Sequence, residues 1–287
     1  MVAGGTGRLG AVLVPRLAAS GHAVRVLTRD PQRGSGLPAA VERMTGDLRV
    51  AADVKRAVAG CRVVISAVHG FAGPGNQSPE AIDRDANCRL IDAAKAAGVE
   101  HFVLISGQGA AADHPLSLHR AKYAAEEALR KSGLTFTILR PTAFLETWVW
   151  LLDTMVKAKG HALVFGPGQN PINFVSVHDV AALTLLAVED GALRNETIEL
   201  EGPENLSFVV LAQRLLEVRR NATPIRHVPL PVLRLLSVVA RPFSPDFARQ
   251  TAAAVFMNTH DQSFEDSSRL RFPTLPRTTL NDVLAQG

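Results

Sequence analysis

Met1-Val2-Ala3-Gly4-Gly5-Thr6-Gly7-Arg8-Leu9-Gly10 opens the chain, and its reading decides the fold. An apolar stub runs straight into glycines at 4, 7 and 10, and Ala11-Val12-Leu13-Val14 follows with helical character. A glycine-rich turn between a strand and a helix lets the backbone approach a pyrophosphate closely and aims a helix N-terminus at it. The spacing here is Gly-x-x-Gly-x-x-Gly rather than the commoner Gly-x-Gly-x-x-Gly, and glycines also build ordinary loops. The context the motif needs is present: a strand before, a helix after, and a second strand from Val24 to Thr28. Against a typical strand of about 5 residues, the stub predicts either a short first strand or further residues upstream of Met1.

Outward from this turn, strand and helix alternate. Ala23–Thr28 reads as strand two and Val41–Met44 as strand three, with a helix over 51–59. Val63–Val68 is a continuous apolar run, as a central parallel strand covered on both faces requires. A loop from His69 to Pro79, a helix over 86–97, strand five at His101–Ser106 and a helix over 118–132 follow. Strand six, Leu134–Leu139, is expected to stop at Arg140-Pro141. This rhythm predicts an α/β fold, a doubly wound parallel sheet with a smaller C-terminal substrate lobe. The expected division is a dinucleotide domain over 1–142 and a lobe over 143–287, with segments near 172–200 returning to the sheet. His178-Asp179 is expected to cap a helix reaching Glu189. Ligands in such folds sit at the carboxyl ends of the strands, and the cleft between sheet and lobe is the expected substrate site.

Composition narrows the function classes. Of 287 residues, 47% are hydrophobic and 20% charged, which supports a full core and excludes global disorder. The net charge of +4 is spread without a basic run, and aromatics are few, so nucleic acid is not an expected partner. Cys61 and Cys88 lack metal-type spacing and read as buried free thiols of a reducing compartment, hence a cytoplasmic protein. The most apolar stretch, Val228–Ala240, carries Pro229, Pro231 and Arg234 and is too short to span a bilayer. It is expected to be a packed lobe helix, with a peripheral membrane contact as the other reading. The oligomeric state, monomer or dimer, is open.

Arg29 stands just past strand two, beside the expected adenosine ribose. An acidic residue there binds the 2′-hydroxyl of NAD, while an arginine accommodates the 2′-phosphate of NADP. Arg8 and Arg33 could join the same patch, and Asp30 is a competing ribose ligand. The expected cofactor is NADP(H), with NAD(H) as runner-up. Asp47 suits either the adenine amino group or a helix N-terminus. By spacing alone, Lys122 forms a surface pair with Glu126 four residues on. His69, after strand four, could donate a proton near neutral pH, and His119 is a similar candidate. Ser106-Gly107-Gln108-Gly109 lacks the nucleophile elbow, the nine histidines lack metal spacing, and no P-loop is present.

Val2–Gly10, VRVLTRDP at 24–31, Thr45-Gly46-Asp47-Leu48 and KYAAEEALRKSGLTFTILRPTAF at 122–144 resemble the atypical short-chain dehydrogenase/reductases of the NmrA-like and isoflavone-reductase-like branch. NFVSVHDVA at 173–181 is similar to the same branch. The resemblance covers nearly the whole chain and is least specific toward the C-terminus. It implies a Rossmann domain holding NADP. Gly4, Gly7 and Gly10 would line the pyrophosphate, with Thr6, Arg8 and Leu9 of the same turn in contact with the cofactor. Arg29 would meet the 2′-phosphate, and Asp47 and Leu48 would border adenine. Ala67, Val68 and Ser106 would run along the cofactor, and Lys122 would reach the nicotinamide ribose. Pro141, Thr142 and Phe144 would lie near the nicotinamide. The wider superfamily uses Tyr-x-x-x-Lys, but Leu118 stands four residues before Lys122, and the only tyrosine is Tyr123.

Two functions follow. One is an NADPH-dependent oxidoreductase for a small apolar or aromatic carbonyl, enone or quinone, with Phe71, Phe144, Trp148 and Trp150 available for an apolar pocket or equally for lobe core. The other is a non-catalytic NADP-binding redox sensor or regulator of the NmrA type. A sugar-nucleotide epimerase is a weaker third, since that chemistry leans on the absent tyrosine.

Overall fold

In a computed structural model, which describes residues 1–285 except 74, 222 and 266, the apolar stub forms a buried two-residue strand, β1 (Val2–Ala3). It enters α1 (Arg8–Ala19) through the glycine turn. There follow β2 (Arg25–Thr28), β3 (Glu42–Thr45), α2 (Ala51–Val58), β4 (Val63–Ser66), α3 (Asn87–Ala96), β5 (His101–Ile105), α4 (Ser117–Ser132) and β6 (Phe136–Pro141). Next come β7 (Ala143–Phe144), α5 (Leu145–Lys159), β8 (Leu163–Phe165), β9 (Ile172–Val175), α6 (Val177–Glu189) and β10 (Glu196–Leu200). After them come β11 (Glu204–Leu206), α7 (Phe208–Val218), β12 (Arg226–Val228), α8 (Leu230–Val239) and α9 (Pro245–Thr259).

The chain divides into two units. The first comprises Met1–Pro141 and His178–Glu199, the second Thr142–Val177 and Leu200–Gly287. The first unit is built on a seven-stranded parallel sheet in the order β10-β6-β5-β4-β1-β2-β3. From β1 the chain winds one way through β2 and β3, then the other way from β4. The order therefore reverses between β1 and β4, where Val2 pairs with Val26 on one side and Ile65 on the other. Ligands bind at such a switch point because the connecting loops part there. Every residue of β5 is buried, and Val64, Leu90, Phe102, Leu104, Leu129 and Ile138 form the core between sheet and helices. In the second unit, the three-stranded sheet β11-β9-β7 packs Phe174, Leu206 and Phe208 with Leu152 and Leu211.

Several expectations are corrected. β6 runs through Arg140 to Pro141, because the carbonyls of Leu139 and Pro141 accept the Ser106 and Gln108 amides, and a proline keeps its carbonyl. Before α3, a π-helical turn, Glu80–Ala86, extends the helix backward to the end of the His69–Pro79 loop; Pro74 of that loop lies outside the described residues. His178 and Asp179 lie inside α6, whose leading Val177 amide is held by the Glu146 carboxylate. Cys61 and Cys88 are free thiols but only half-buried. Within the Val228–Ala240 stretch Leu230–Val239 does form a helix, yet of α8 only Leu233 is buried. Among the described residues no helix is long and apolar enough to cross a membrane, and no His/Cys/Asp/Glu group could hold a metal ion.

Candidate dinucleotide site

The glycine turn is shaped by close backbone approach. Gly4 has φ +80°, and a Cβ there would fall 2.5 Å from the Ala67 carbonyl oxygen. A Cβ at Gly10 would overlap the Gly4 carbonyl and lie 2.5 Å from the Gly5 Cα. Only glycine brings β1, the end of β4 and the first turn of α1 this close. Gly7 is the N-cap of α1 and offers no side chain to the helix amides, and no acidic residue occupies the first turn. The positive end of a 12-residue helix is thus left for an external anion. Leu9 is buried, so only its backbone can face a ligand; Thr6 is half-buried and Arg8 exposed. This cradle, which a single Cβ would fill, fits a pyrophosphate.

At the end of β2, Arg29 donates to the Gln77 side chain at 2.6 Å. Asp30 accepts the Gln32 amide and caps the turn Pro31–Gly34, which ties its carboxylate to the chain itself. Asp47 is not the helix cap, which is Val50, and is half-buried: Arg49 clasps its carboxylate through Nε at 3.0 Å to both oxygens and through Nη2 at 2.5 Å. The Arg49 hydrogen bonds hold the Asp47 carboxyl below its ordinary value. Leu48 packs partly buried against the core, and its carbonyl accepts from Arg89. Ala67 and Val68 leave β4 directly beneath Gly4.

Around Lys122 the structure departs furthest from the spacing argument. Its ammonium does not pair with Glu126. It lies 3.2 Å from a carboxylate oxygen of Asp83 and donates to the Ile105 carbonyl at 3.2 Å. Asp83, on the π-helical turn, has no exposed side-chain surface, and its other oxygen accepts the Gly70 amide at 2.8 Å. Burial pushes the Asp83 carboxyl up, but Lys122, His69 and the Gly70 amide outweigh it, so the group is held below its ordinary value. His69 is half-exposed, 3.8 Å from Asp83 through Nδ1 and stacked on Phe71. His119 stacks on His114 with centroids 4.0 Å apart. Burial, with His114 and Lys122 adding, pushes its pKa down to about 3, so it stays neutral at physiological pH and is no imidazolium acid.

Glu126 belongs to a second buried cluster. Ser106 donates its hydroxyl to Glu126 at 2.5 Å, and Arg140 and Arg130 pair with the same carboxylate at 2.6 and 3.0 Å. The Ser106 hydroxyl is therefore committed away from Lys122. A Cβ built on Gly107 would sit 3.5 Å from Lys122 Cδ, so position 107 is the one that faces the lysine. Pro141 is buried at the end of β6. Thr142 and Phe144 belong to the second unit, where Thr142 donates to Asn173 at 2.9 Å and Phe144 is the N-cap of α5. Trp148 packs on Phe208 at 4.8 Å as lobe core, and the crevice beside it, about 20 Å³, has room for one water and not for an aromatic acceptor. Trp150 is exposed.

Sequence reasoning missed Asp83, Arg49 and Gln77. A signal for Asp83 exists only in three dimensions, since 39 positions separate it from Lys122.

A doubly wound sheet with a glycine cradle at its switch point defines a dinucleotide-binding α/β protein. The chain belongs to the NAD(P)H-binding family, whose description matches residues 4–190, in keeping with its resemblance to the atypical short-chain dehydrogenase/reductases. It is 27% identical over 231 residues to an NAD(P)H azoreductase of Xenophilus azovorans, covering 80% of this chain and 76% of that one. It is 24% identical over 241 residues to the photosystem II assembly factor Ycf39 of Trieres chinensis, covering 83% and 75%. Its fold matches an NADPH-dependent quinone oxidoreductase of Escherichia coli complexed with NADPH, with TM-score 0.78, 20% identity, and 99% and 98% of the two chains covered.

Proposed function

We propose that the protein is an NADPH-dependent oxidoreductase acting on a small apolar or aromatic carbonyl, enone or quinone. The observation that carries this reading is Lys122, buried and held between Asp83 and the Ile105 carbonyl at the carboxyl edge of the sheet, the edge that bears the Gly4 turn. A lysine paired with a buried carboxylate and fixed in one geometry is suited to orienting a ribose rather than to solubility. Gly4, Gly7 and Gly10 hold the pyrophosphate through backbone amides, with Thr6, Arg8 and Leu9 beside them. Arg29 reads the 2′-phosphate, and the commitment of Asp30 to its own turn favours NADP(H) over NAD(H). Leu48, Ala67, Val68, Ser106 and Pro141 complete the cofactor's surroundings within the first unit, and Asp47 reaches it only together with Arg49.

Bound NADPH supplies a hydride to the acceptor. The chain contributes Lys122 as the positioning cation and His69 as the side chain able to pass a proton, its Nδ1 facing the Asp83 carboxylate. Quinones and conjugated acceptors ask least of an acid, which suits a chain with Leu118 in the tyrosine's place. The likeness to an NAD(P)H azoreductase supports a reductase, and the fold shared with a quinone oxidoreductase suits a quinone among its acceptors.

One set of observations favours a second reading, a non-catalytic NADP-binding regulator: Leu118 in place of tyrosine, the Ser106 hydroxyl spent on Glu126, and a neutral His119. The likeness to an assembly factor supports it. Fluorescence titration of NADPH against NADH, followed by NADPH oxidation with quinones, enones and aldehydes, separates the two. Tight NADPH binding with turnover supports the reductase; tight binding without turnover supports the regulator.

A further inference from the structure

The helix expected to be packed presents an apolar face to solvent. On α8, which packs against α9, Val232, Leu235, Val238 and Val239 recur at helical spacing and share one exposed face, while Leu233 is buried and Leu236 half-buried. Leu235 is 63% exposed and Val238 59%. The turn after α8 adds Phe243, 86% exposed, and α9 adds the exposed Phe247. Scattered single apolar residues on a surface are ordinary, but a run of six at one helix hairpin is not.

Charge narrows what covers this face. Residues 226–250 contain four arginines, no lysine, no glutamate and one aspartate, Asp246, which accepts from Ser244 within its own turn. Arg226, Arg234 and Arg241 are exposed, and Arg234 borders the apolar arc on the helix wheel. A second copy docked face to face would bring like charges together, which disfavours self-association. Arginine beside leucine, valine and phenylalanine on an amphipathic helix suits an anionic lipid surface. The apolar side chains enter the acyl boundary there while guanidinium groups reach the headgroups.

We propose that α8 and the turn through Phe247 form an interfacial anchor that seats the protein on an anionic phospholipid surface without crossing it. This does not rest on the reductase reading.

The test is co-sedimentation of the full chain with vesicles of equal parts phosphatidylcholine and phosphatidylglycerol, against phosphatidylcholine alone. The anchor predicts partitioning onto the mixed vesicles that weakens as salt is raised. Arg234→Glu and Arg241→Glu should each lower it at least about fivefold, and Leu235→Ser and Phe243→Ser each about tenfold. All four lie on the surface, and circular dichroism together with retained NADPH affinity verifies their folding. Absence of partitioning onto mixed vesicles overturns the proposal, as does partitioning that the variants leave unchanged. A dimer in solution that Leu235→Ser converts to monomer, with no vesicle binding by either, gives the face to a second copy and overturns it too.

Discussion

Lys122 and Asp83 form a buried ion pair, 3.2 Å from ammonium to carboxylate, between a helix that follows β5 and a π-helical turn that follows β4. The pair joins the segments that follow β4 and β5 and sets the one lysine geometry the cofactor would meet. Removing one partner from a buried pair leaves an uncompensated charge. Asp83→Asn should therefore cost about 3–5 kcal/mol in urea unfolding and weaken NADPH binding. Lys122→Met combined with Asp83→Asn should cost much less than the sum of the two. Additive losses would count against a coupled pair. The carboxyl is held below its unfolded value of 3.8, so its contribution is complete above that pH and is lost as pH falls through the lower folded value.

Arg29 is proposed to read a phosphate that NADH lacks. Arg29→Ala should weaken NADPH binding by about 1.5–3 kcal/mol, the range for a hydrogen bond to a charged group, and leave NADH binding nearly unchanged. Isothermal titration with both dinucleotides measures this, and equal losses would remove Arg29 from the site.

Gly10→Ala puts a methyl into the Gly4 and Gly5 backbone, which cannot retreat because the Gly4 turn already touches Ala67. The expected cost is about 1–3 kcal/mol of stability together with loss of dinucleotide affinity. Gly107→Ser is the contrasting case, since a Cβ there meets Lys122 Cδ at an ordinary 3.5 Å. Thermal unfolding should separate the two variants.

Gly107→Ser joined with Leu118→Tyr sets a hydroxyl beside Lys122 and a phenol one helical turn before it. In a reductase short of an acid, this should raise aldehyde turnover by roughly 10²-fold or more and leave quinone turnover little changed. An inert double variant that still binds NADPH tightly would favour the regulator.

His101 and His119 set a pH dependence of stability. Burial pushes the first down to about 4 and the second to about 3, from 6.5 when unfolded. Below pH 6.5 the unfolded chain takes up protons that the folded chain refuses, so stability falls with pH until the folded values are reached. Unfolding free energies from urea titrations between pH 7 and 4 should drop by up to about 1.4 kcal/mol per pH unit for each histidine. His101→Gln with His119→Gln should flatten that slope.

Much was legible in local pattern. The glycines at 4, 7 and 10, the apolar run at Val63 and the alternation up to Pro141 specify strand, turn and helix through short-range sterics and periodicity, so the parallel sheet and its glycine cradle follow from the chain itself. The partners of the charged residues did not follow. Spacing joined Lys122 to Glu126, whereas folding gave Lys122 to Asp83 and Glu126 to Ser106, Arg130 and Arg140. Apolarity assigned α8 to a core, whereas its strongest face is turned to solvent. Secondary structure is written in neighbours a few residues apart, but which buried charge meets which, and which apolar face stays uncovered, depend on groups brought together only when the sheet closes and the polar atoms it buries must find partners.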